Sequence, residues 1–198
     1  MSRAHGVASA RAPHRVVSLP GVSSIILGYD PETLRERVDL VEVGHRLAEL
    51  GDLRSRDALC ERAWLLKVGG NLDDALDTAN EAYRLARFTG DRRSLQRPRM
   101  LRAQVLQYQG RHEEAVYELT RCIEEAHTHE WHLLEAFGLQ HRGRVLFDEG
   151  ADEAASADFA EALRLRTEHE APADQIDSAK FALETVQRRL ESNVVPLF

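Results

Sequence analysis

The sequence predicts an all-α fold, an α-solenoid of antiparallel helix hairpins with about eight helices. The first observation is a short phrase that occurs three times, with glycine at its start and alanine five positions later. The glycines are Gly70, Gly110 and Gly150, and the alanines are Ala75, Ala115 and Ala155. Both sets recur every 40 residues, a period typical of stacked helical repeats. The second observation is that small or apolar residues continue at helical spacing on both sides of each phrase.

Each phrase predicts a helix, a tight turn and a second helix. Glycine has no Cβ and therefore ends a helix readily in the left-handed conformation. Asn71 and Asp152 suit the capping position that follows, and acidic residues fill the next first turn, where they oppose the helix dipole. Pro98 favours a helix start near residue 96, because proline is best tolerated in a first turn. The predicted helices span 56–69 and 72–89, then 96–109 and 112–128, then 132–149 and 151–169.

Two proline signals predict the ends of the helical domain. Asp30-Pro31-Glu32 has a capping residue, a proline and an acid in the order typical of a helix start, so it predicts a leading helix over 31–50. Pro172 predicts a final helix over 173–191. The helical domain is thus expected at 30–192, with repeats at about 53–91, 92–131 and 132–171.

The two ends of the chain lack a helical pattern. Residues 1–29 are expected to form a flexible or irregular segment, disordered over its first fifteen residues. Its apolar part, residues 16–27, is expected to pack over the first helix, with binding to a partner or exchange between protomers as the alternative. Residues 193–198 are expected to form an apolar tail. Both segments make a homo-oligomer possible.

The repeats resemble the tetratricopeptide repeat (TPR) family. Ala155 and Phe159 reproduce the Ala-x3-Phe part of the family pattern. The chain departs from the pattern in its period of 40 rather than 34 residues and in lacking the terminal proline. The first helix of the family pattern reads Trp-x2-Leu-Gly-x2-Tyr. In this chain the Trp position holds Leu59, Arg99 and Leu139, and the Leu position three residues later holds Arg62, Arg102 and Arg142. Repeats of this length are similar to those of bacterial signal-transduction and transcriptional regulators. The resemblance covers about residues 31–190 and implies a right-handed superhelix.

The resemblance also implies a concave groove lined by the first helix of each repeat. Aromatic residues, long amides and isolated cations in this register are typical of a recognition surface for a protein or peptide. The alternative is that the aromatic side chains only fill the interior. Arg97 and Arg144 could each pair with a carboxylate of a peptide. The expected groove residues are Trp64, Lys67, Arg97, Met100, Gln104, Gln107, Tyr108, Phe137, Gln140, Arg144 and Phe147.

Composition excludes several classes of function. The net charge of −7 argues against a general nucleic-acid or anionic-membrane binder. Residues 16–27 form the longest apolar run near the start, which is too short to span a membrane. Cys60 and Cys122 do not make a disulfide framework and favour a reducing, cytoplasmic location. Only Lys67 and Lys180 among the 26 basic residues are lysines, which favours a GC-rich, bacterial genome.

Motifs for catalysis are missing from the sequence. It has no Gly-x-Ser-x-Gly, no P-loop and no dinucleotide-binding fingerprint, so we expect no enzyme and no cofactor. The histidine-rich segment 127–132 is interpreted as a turn between repeats, with a zinc site as the alternative.

The sequence therefore predicts an adaptor or regulatory protein that binds a protein or peptide in its groove. One alternative is a small-molecule binder or enzyme whose pocket the N-terminal segment closes over the groove. The other alternative is a structural homo-oligomer.

Overall fold

The computed structural model describes residues 25–89 and 91–194. This part of the chain contains eight helices and one two-stranded antiparallel sheet, which confirms the all-α class and the number of helices. The expectations for residues 1–24 and 195–198 lie outside the described residues. The elements are β1 (Ile26–Tyr29), β2 (Glu36–Val38), α1 (Leu40–Leu50), α2 (Arg56–Val68), α3 (Leu72–Thr89), α4 (Arg92–Tyr108), α5 (His112–Thr128), α6 (His132–Asp148), α7 (Asp152–Glu168) and α8 (Ala173–Val194).

Each helix packs against the next helix in the chain. The connections within the array from α4 to α7 are three residues long, which makes consecutive helices antiparallel. Helix α4 also contacts α2 on one side and α6 on the other, so these three helices form one continuous layer. These are the first helices of the three sequence repeats, and their common layer is the wall on which the candidate site is built.

The turns between helices share one conformation. Gly70, Gly110 and Gly150 have φ values of 86°, 75° and 76°, the left-handed conformation expected from the repeat. Glu130 and Glu170 adopt it too, with φ of 55° and 50°, at the turns between repeats. In every case the next backbone N–H donates to a carbonyl five residues earlier, as a Schellman motif requires. The same helix-ending motif therefore separates the helices within repeats and between them.

Glycine and alanine let neighbouring helices approach closely. Ala75, Ala115 and Ala155 are fully buried, as their spacing predicts. Gly143 faces the ring of Phe159, where an added Cβ would lie 2.6 Å from the ring carbon Cε1. The small residue in α6 therefore makes room for the aromatic residue in α7.

Two of the three arginines at the family's Leu position pair with an acid of the next helix. Arg142 makes two 2.8 Å hydrogen bonds to the carboxylate of Asp158, and Arg102 makes a single hydrogen bond to Glu118 one repeat earlier. Arg62 donates to the backbone carbonyl of Gly51 instead. Both pairs join the two helices of one repeat across 16 residues. An ion pair thus replaces the apolar contact of the family pattern.

The predicted leading helix is wrong over its first nine positions. Asp30 closes the turn of a β-hairpin: its Oδ1 accepts from the backbone N–H groups of Glu32 and Thr33, each at 2.9 Å. Leu34 then adopts a φ of 55° and leads into β2. Asp39 caps the helix that begins at Leu40. An Asp-Pro-acid sequence suits a tight turn as well as a helix start, and the hairpin buries Leu34 in the core.

Three further boundaries differ from the prediction. The segment expected to be irregular up to residue 29 ends in strand β1. Helix α4 begins at Arg92 because Asp91 caps it, so Pro98 lies well inside the helix and not in its first turn. Helix α8 continues to Val194, into the expected tail. Among the described helices, none is both long and apolar enough to cross a membrane.

Candidate functional site

The β1–β2 hairpin lies against helices from both ends of the array. Ile25, just before β1, packs with Val43 of α1 and Leu65 of α2. Leu34, in the hairpin turn, packs with Phe147 of α6 and with residues of α7 and α8. The hairpin therefore crosses the layer of first helices, and it brings the side chains between these two anchor points onto the expected groove.

Glu36 of β2 is the centre of a buried polar cluster. The hydroxyl of Tyr108 donates to its Oε2 at 2.8 Å, and Nη1 of Arg144 donates to its Oε1 at 3.1 Å. The ammonium group of Lys67 lies 3.6 Å from Oε2. The side chains of Glu36, Lys67 and Arg144 are 7%, 1% and 8% exposed. One carboxylate is thus held by α2, α4 and α6, that is, by one side chain from each of three consecutive repeats.

A second layer of contacts orients these groups. Lys67 donates to Oε1 of Gln104 at 3.2 Å and lies 4.7 Å from the ring centroid of Tyr108. The guanidinium of Arg35 lies 4.6 Å from the same centroid, so the ring has two cationic neighbours. Gln107 donates to Asp148 at 2.9 Å. These contacts hold Lys67 and Tyr108 in place and so favour one position for the carboxylate.

The charges around Glu36 determine which groups are ionised. Burial alone would raise the pKa of Glu36, but the attraction of Lys67 and Arg144 and the hydrogen bond from Tyr108 bring it below its usual value. Burial lowers the pKa of Lys67, and Glu36 opposes that change. Burial, together with the repulsion of Arg144 and Lys67, holds the pKa of His141 well below its usual value. At neutral pH Glu36 is charged and His141 is neutral, so the attraction on the carboxylate comes from the lysine and the arginine.

Arg166 extends the cationic cluster towards α8. Its Nη1 donates to Oε1 of Gln140 at 3.2 Å and to the backbone carbonyl of Gln175 at 2.8 Å. Burial and the repulsion of Arg144 lower the pKa of Arg166 to about 10. In the described part of the chain no carboxylate lies within 4 Å of this guanidinium, although Asp174 at the start of α8 attracts it from a greater distance. The site therefore contains a buried cation that Glu36 does not neutralise.

Five of the eleven expected groove residues converge around the carboxylate: Lys67, Gln104, Gln107, Tyr108 and Arg144. A sixth, Gln140, contacts Arg166. Hydrogen bonds join Lys67 to Gln104, and Tyr108 and Arg144 to the same carboxylate, which the helical register alone did not predict.

The other five expected groove residues lie elsewhere. Met100 and Phe147 belong to the core. For Phe147 this agrees with the alternative that aromatic side chains only fill the interior. Trp64 packs between two core clusters, and Phe137 lies half-buried, 4.5 Å from the ring of His141. Arg97 is exposed and lies 3.8 Å from Asp57, outside the cluster.

Sequence reasoning missed the residues that the hairpin contributes. Glu36 and Arg35 were assigned to a helix that does not form there. The signal that could have located the hairpin is Asp39, which is followed three residues later by Glu42, a pattern typical of a helix start. This later start would have left residues 26–38 free to be interpreted as two short strands.

The hairpin leaves no cavity of its own on the groove. The space among Leu34, Glu36, Lys67, Tyr108 and Arg144 is too small for a water molecule. An open cleft of about 560 Å³ lies on other surfaces, between α3, α4 and α5, and its lining includes Leu76, Arg102 and Tyr117. The N-terminal hairpin therefore does cover the groove, but it fills the groove instead of enclosing a pocket.

The histidine-rich segment forms the turn between α5 and α6, as expected. His127 lies 2.8 Å from Glu135, and His129 stacks on Trp131 with 4.7 Å between ring centroids. His132 stacks on His169 at 4.1 Å. Within residues 25–89 and 91–194, no three side chains of the metal-ligating types converge on one point.

No protein-family model matches the chain, and a search of curated proteins finds no significant match. The likeness to tetratricopeptide repeats therefore rests on the residues of the repeat, and membership of the family stays a proposal.

Proposed function

We propose that this chain is a TPR-like repeat protein that binds a protein or peptide partner in the groove formed by α2, α4 and α6. It would act as an adaptor or regulatory protein, without a cofactor. One observation supports the proposal above all. Three consecutive repeats each supply one polar group to the carboxylate of Glu36, which lies on an extended segment. A groove that binds such a segment of its own chain has the geometry needed to bind one from another chain.

The cysteines support a binding role over nucleophilic chemistry. Burial raises the pKa of Cys122 to about 12 and also raises that of Cys60. Neither thiol is therefore ionised at neutral pH, and only the thiolate is a good nucleophile. Both are free thiols, which agrees with a reducing, cytoplasmic location.

A peptide library tests the proposal without knowledge of the partner. The full chain and its Glu36→Gln variant are used to select from displayed random dodecapeptides. Amide hydrogen exchange then maps where the enriched peptides bind. We expect enrichment on the variant, with new protection in α2, α4 and α6. Failure to enrich any peptide on either protein, or protection confined to other helices, would overturn the proposal.

A further inference from the structure

We infer that the partner of this groove is an extended peptide with at least two acidic side chains, and that the β1–β2 hairpin is a resident occupant that such a peptide displaces. The inference rests on the proposed function and adds the chemical class of the partner and the event that opens the site.

The geometry selects a carboxylate. Tyr108, Arg144 and Lys67 approach the two oxygens of Glu36 from three helices, and all three groups donate hydrogen bonds or positive charge. Lys67 and Arg144 are buried, so their charges are strongly felt within the groove. A neutral side chain in the place of Glu36 would leave both cations without a counter-charge, at a large cost in free energy. An acidic residue is therefore required of any occupant.

The count of charges requires more than one acid. When the hairpin leaves, it takes both Glu36 and Arg35 with it. The groove then retains three buried or nearly buried cations, on Lys67, Arg144 and Arg166, against the carboxylate of Asp148, while the exposed Asp174 attracts Arg166 from the start of α8. Among the buried groups the surplus is two positive charges. Glu36 of the hairpin neutralises only one of them, and Arg35 adds a positive charge of its own.

Unpaired donors lie on the same side chains. Nε of Arg144, Nε of Arg166 and Nε2 of Gln140 are buried and have no hydrogen-bond acceptor in the described part of the chain. Buried donors are nearly always paired in folded proteins. Gln140 already contacts Arg166 through its oxygen, so these side chains are neighbours. A second carboxylate near Arg166 would supply acceptors that the hairpin does not supply.

The hairpin is suited to leave. It has only two short strands, and an isolated two-stranded sheet is barely stable on its own. Leu27 of β1 is 62% exposed, so part of the apolar surface of the hairpin is not in contact with the helices. The tether to α1 nevertheless keeps the hairpin at a high effective concentration near the groove. A separate peptide must compete with it, and weakening the hairpin should raise the apparent affinity for the peptide.

Fluorescence anisotropy of a labelled peptide tests the inference. The probe is a fluorescein-labelled copy of residues 26–38 that carries Tyr29→Glu and thus presents two acids. Tyr29 pairs with Glu36 across the hairpin and is a neighbour of both Arg144 and Arg166. The control peptide carries Tyr29→Gln and Glu36→Gln. We expect the acidic probe to bind the full-length Glu36→Gln protein at least tenfold more tightly than the wild type. The control peptide should bind neither protein measurably.

Three further variants test the same inference independently. Leu34→Ala loosens the hairpin without changing any charge, so it should also strengthen binding of the acidic probe, whatever the stability of the Glu36→Gln protein. In the Glu36→Gln background, Arg144→Met should weaken binding at least tenfold. Arg84→Met removes an exposed arginine outside the cluster and should have no effect. Circular dichroism checks that every variant keeps its helices.

Amide hydrogen exchange measures displacement of the hairpin directly. Saturating the wild type with the acidic probe should speed amide exchange in residues 26–38 and leave α4 slow. Equal binding of the acidic and control peptides would overturn the inference, as would binding with no change in hairpin exchange. If the library yields neutral peptides that protect α2, α4 and α6, the proposed function stands and this inference falls. If the library yields no peptide and the acidic probe does not bind, both fall.

Discussion

The carboxylate of Glu36 lies 3.1 Å from the guanidinium of Arg144, although 108 positions separate the two residues in the chain. Tyr108, from the helix between, donates to the same carboxylate. These contacts join the N-terminal hairpin to the second and third repeats, far from the helix that follows the hairpin in sequence. The hairpin is therefore part of the groove, and its attachment should respond to changes in groove residues.

Glu36→Gln should release the hairpin. The change leaves Lys67 and Arg144 buried without their counter-charge, which costs about 3 kcal/mol or more. The backbone N–H of Asp39, which donates to the carbonyl of Ile25 at 2.9 Å, should then exchange about a hundredfold faster. Hydrogen exchange with mass spectrometry measures this. Glu32→Gln, at an exposed position in the hairpin turn, is the control and should change nothing. Unaltered exchange in the Glu36→Gln protein would show that the carboxylate does not anchor the hairpin.

The buried imidazole of His141 should make stability depend on pH below neutrality. The pKa of His141 in the folded protein is well below its ordinary value of 6.5. As the pH falls below 6.5, the unfolded chain therefore binds a proton at this residue that the folded protein does not bind. Stability is fully present above pH 6.5 and falls as the pH drops, by up to about 1.4 kcal/mol per pH unit. His141→Gln should remove this slope in urea denaturation between pH 7.5 and 5.5. His45→Gln, at an exposed histidine, should retain it. An unchanged slope in the His141→Gln protein would contradict the account.

Gly143→Ala should destabilise the third repeat. The new methyl group would lie 2.6 Å from the Phe159 ring, which is fully buried and cannot move freely. We expect a net loss of about 1–3 kcal/mol in the free energy of unfolding. Gly44→Ala is the matched control, since nothing lies within 4 Å of its added Cβ and helix propensity alone should stabilise it. Similar effects of the two substitutions would indicate that Phe159 does not pack against this glycine.

Substitutions at the left-handed turn positions should change the free energy of unfolding in opposite directions, since glycine suits this conformation and a residue with a Cβ does not. Gly110→Ala places a Cβ at a φ of 75° and should cost about 1 kcal/mol. Glu130→Gly relieves the same strain at a φ of 55° and should be neutral or stabilising. Thermal unfolding of both variants beside the wild type measures the two effects. Destabilisation by Glu130→Gly of the size caused by Gly110→Ala would mean that Glu130 does not carry this strain.

The helical part of the fold could be predicted because local and periodic signals agree. Gly70, Gly110 and Gly150 mark turns that the backbone makes in the left-handed conformation, and the buried alanines follow at fixed positions. Pro98 misled the prediction because a single missing N–H does not end a helix that Asp91 caps firmly. The error was to treat a weak preference as a boundary.

The candidate site could be predicted only on its helical side. Lys67, Tyr108 and Arg144 follow from the register of the repeat, because that register places first-helix side chains in one layer. Glu36 does not follow from it, because Asp30-Pro31-Glu32 fits a turn and a helix start equally well at the local level. Asp39 with Glu42 favours the later helix start, but the position of the hairpin on the groove depends on burial of Leu34 by distant helices, which is a tertiary contact.

A double-mutant cycle between Glu36 and Arg144 measures how strongly the groove holds the carboxylate of the hairpin. Urea denaturation gives the free energy of unfolding for the wild type, Glu36→Gln, Arg144→Met and the double variant. The exposed pair of Arg54 and Glu81, 3.0 Å apart, is the control and should show a coupling below about 1 kcal/mol. We expect a coupling of about 2 kcal/mol or more between Glu36 and Arg144. A coupling below about 0.5 kcal/mol would show that the groove does not hold the carboxylate of the hairpin.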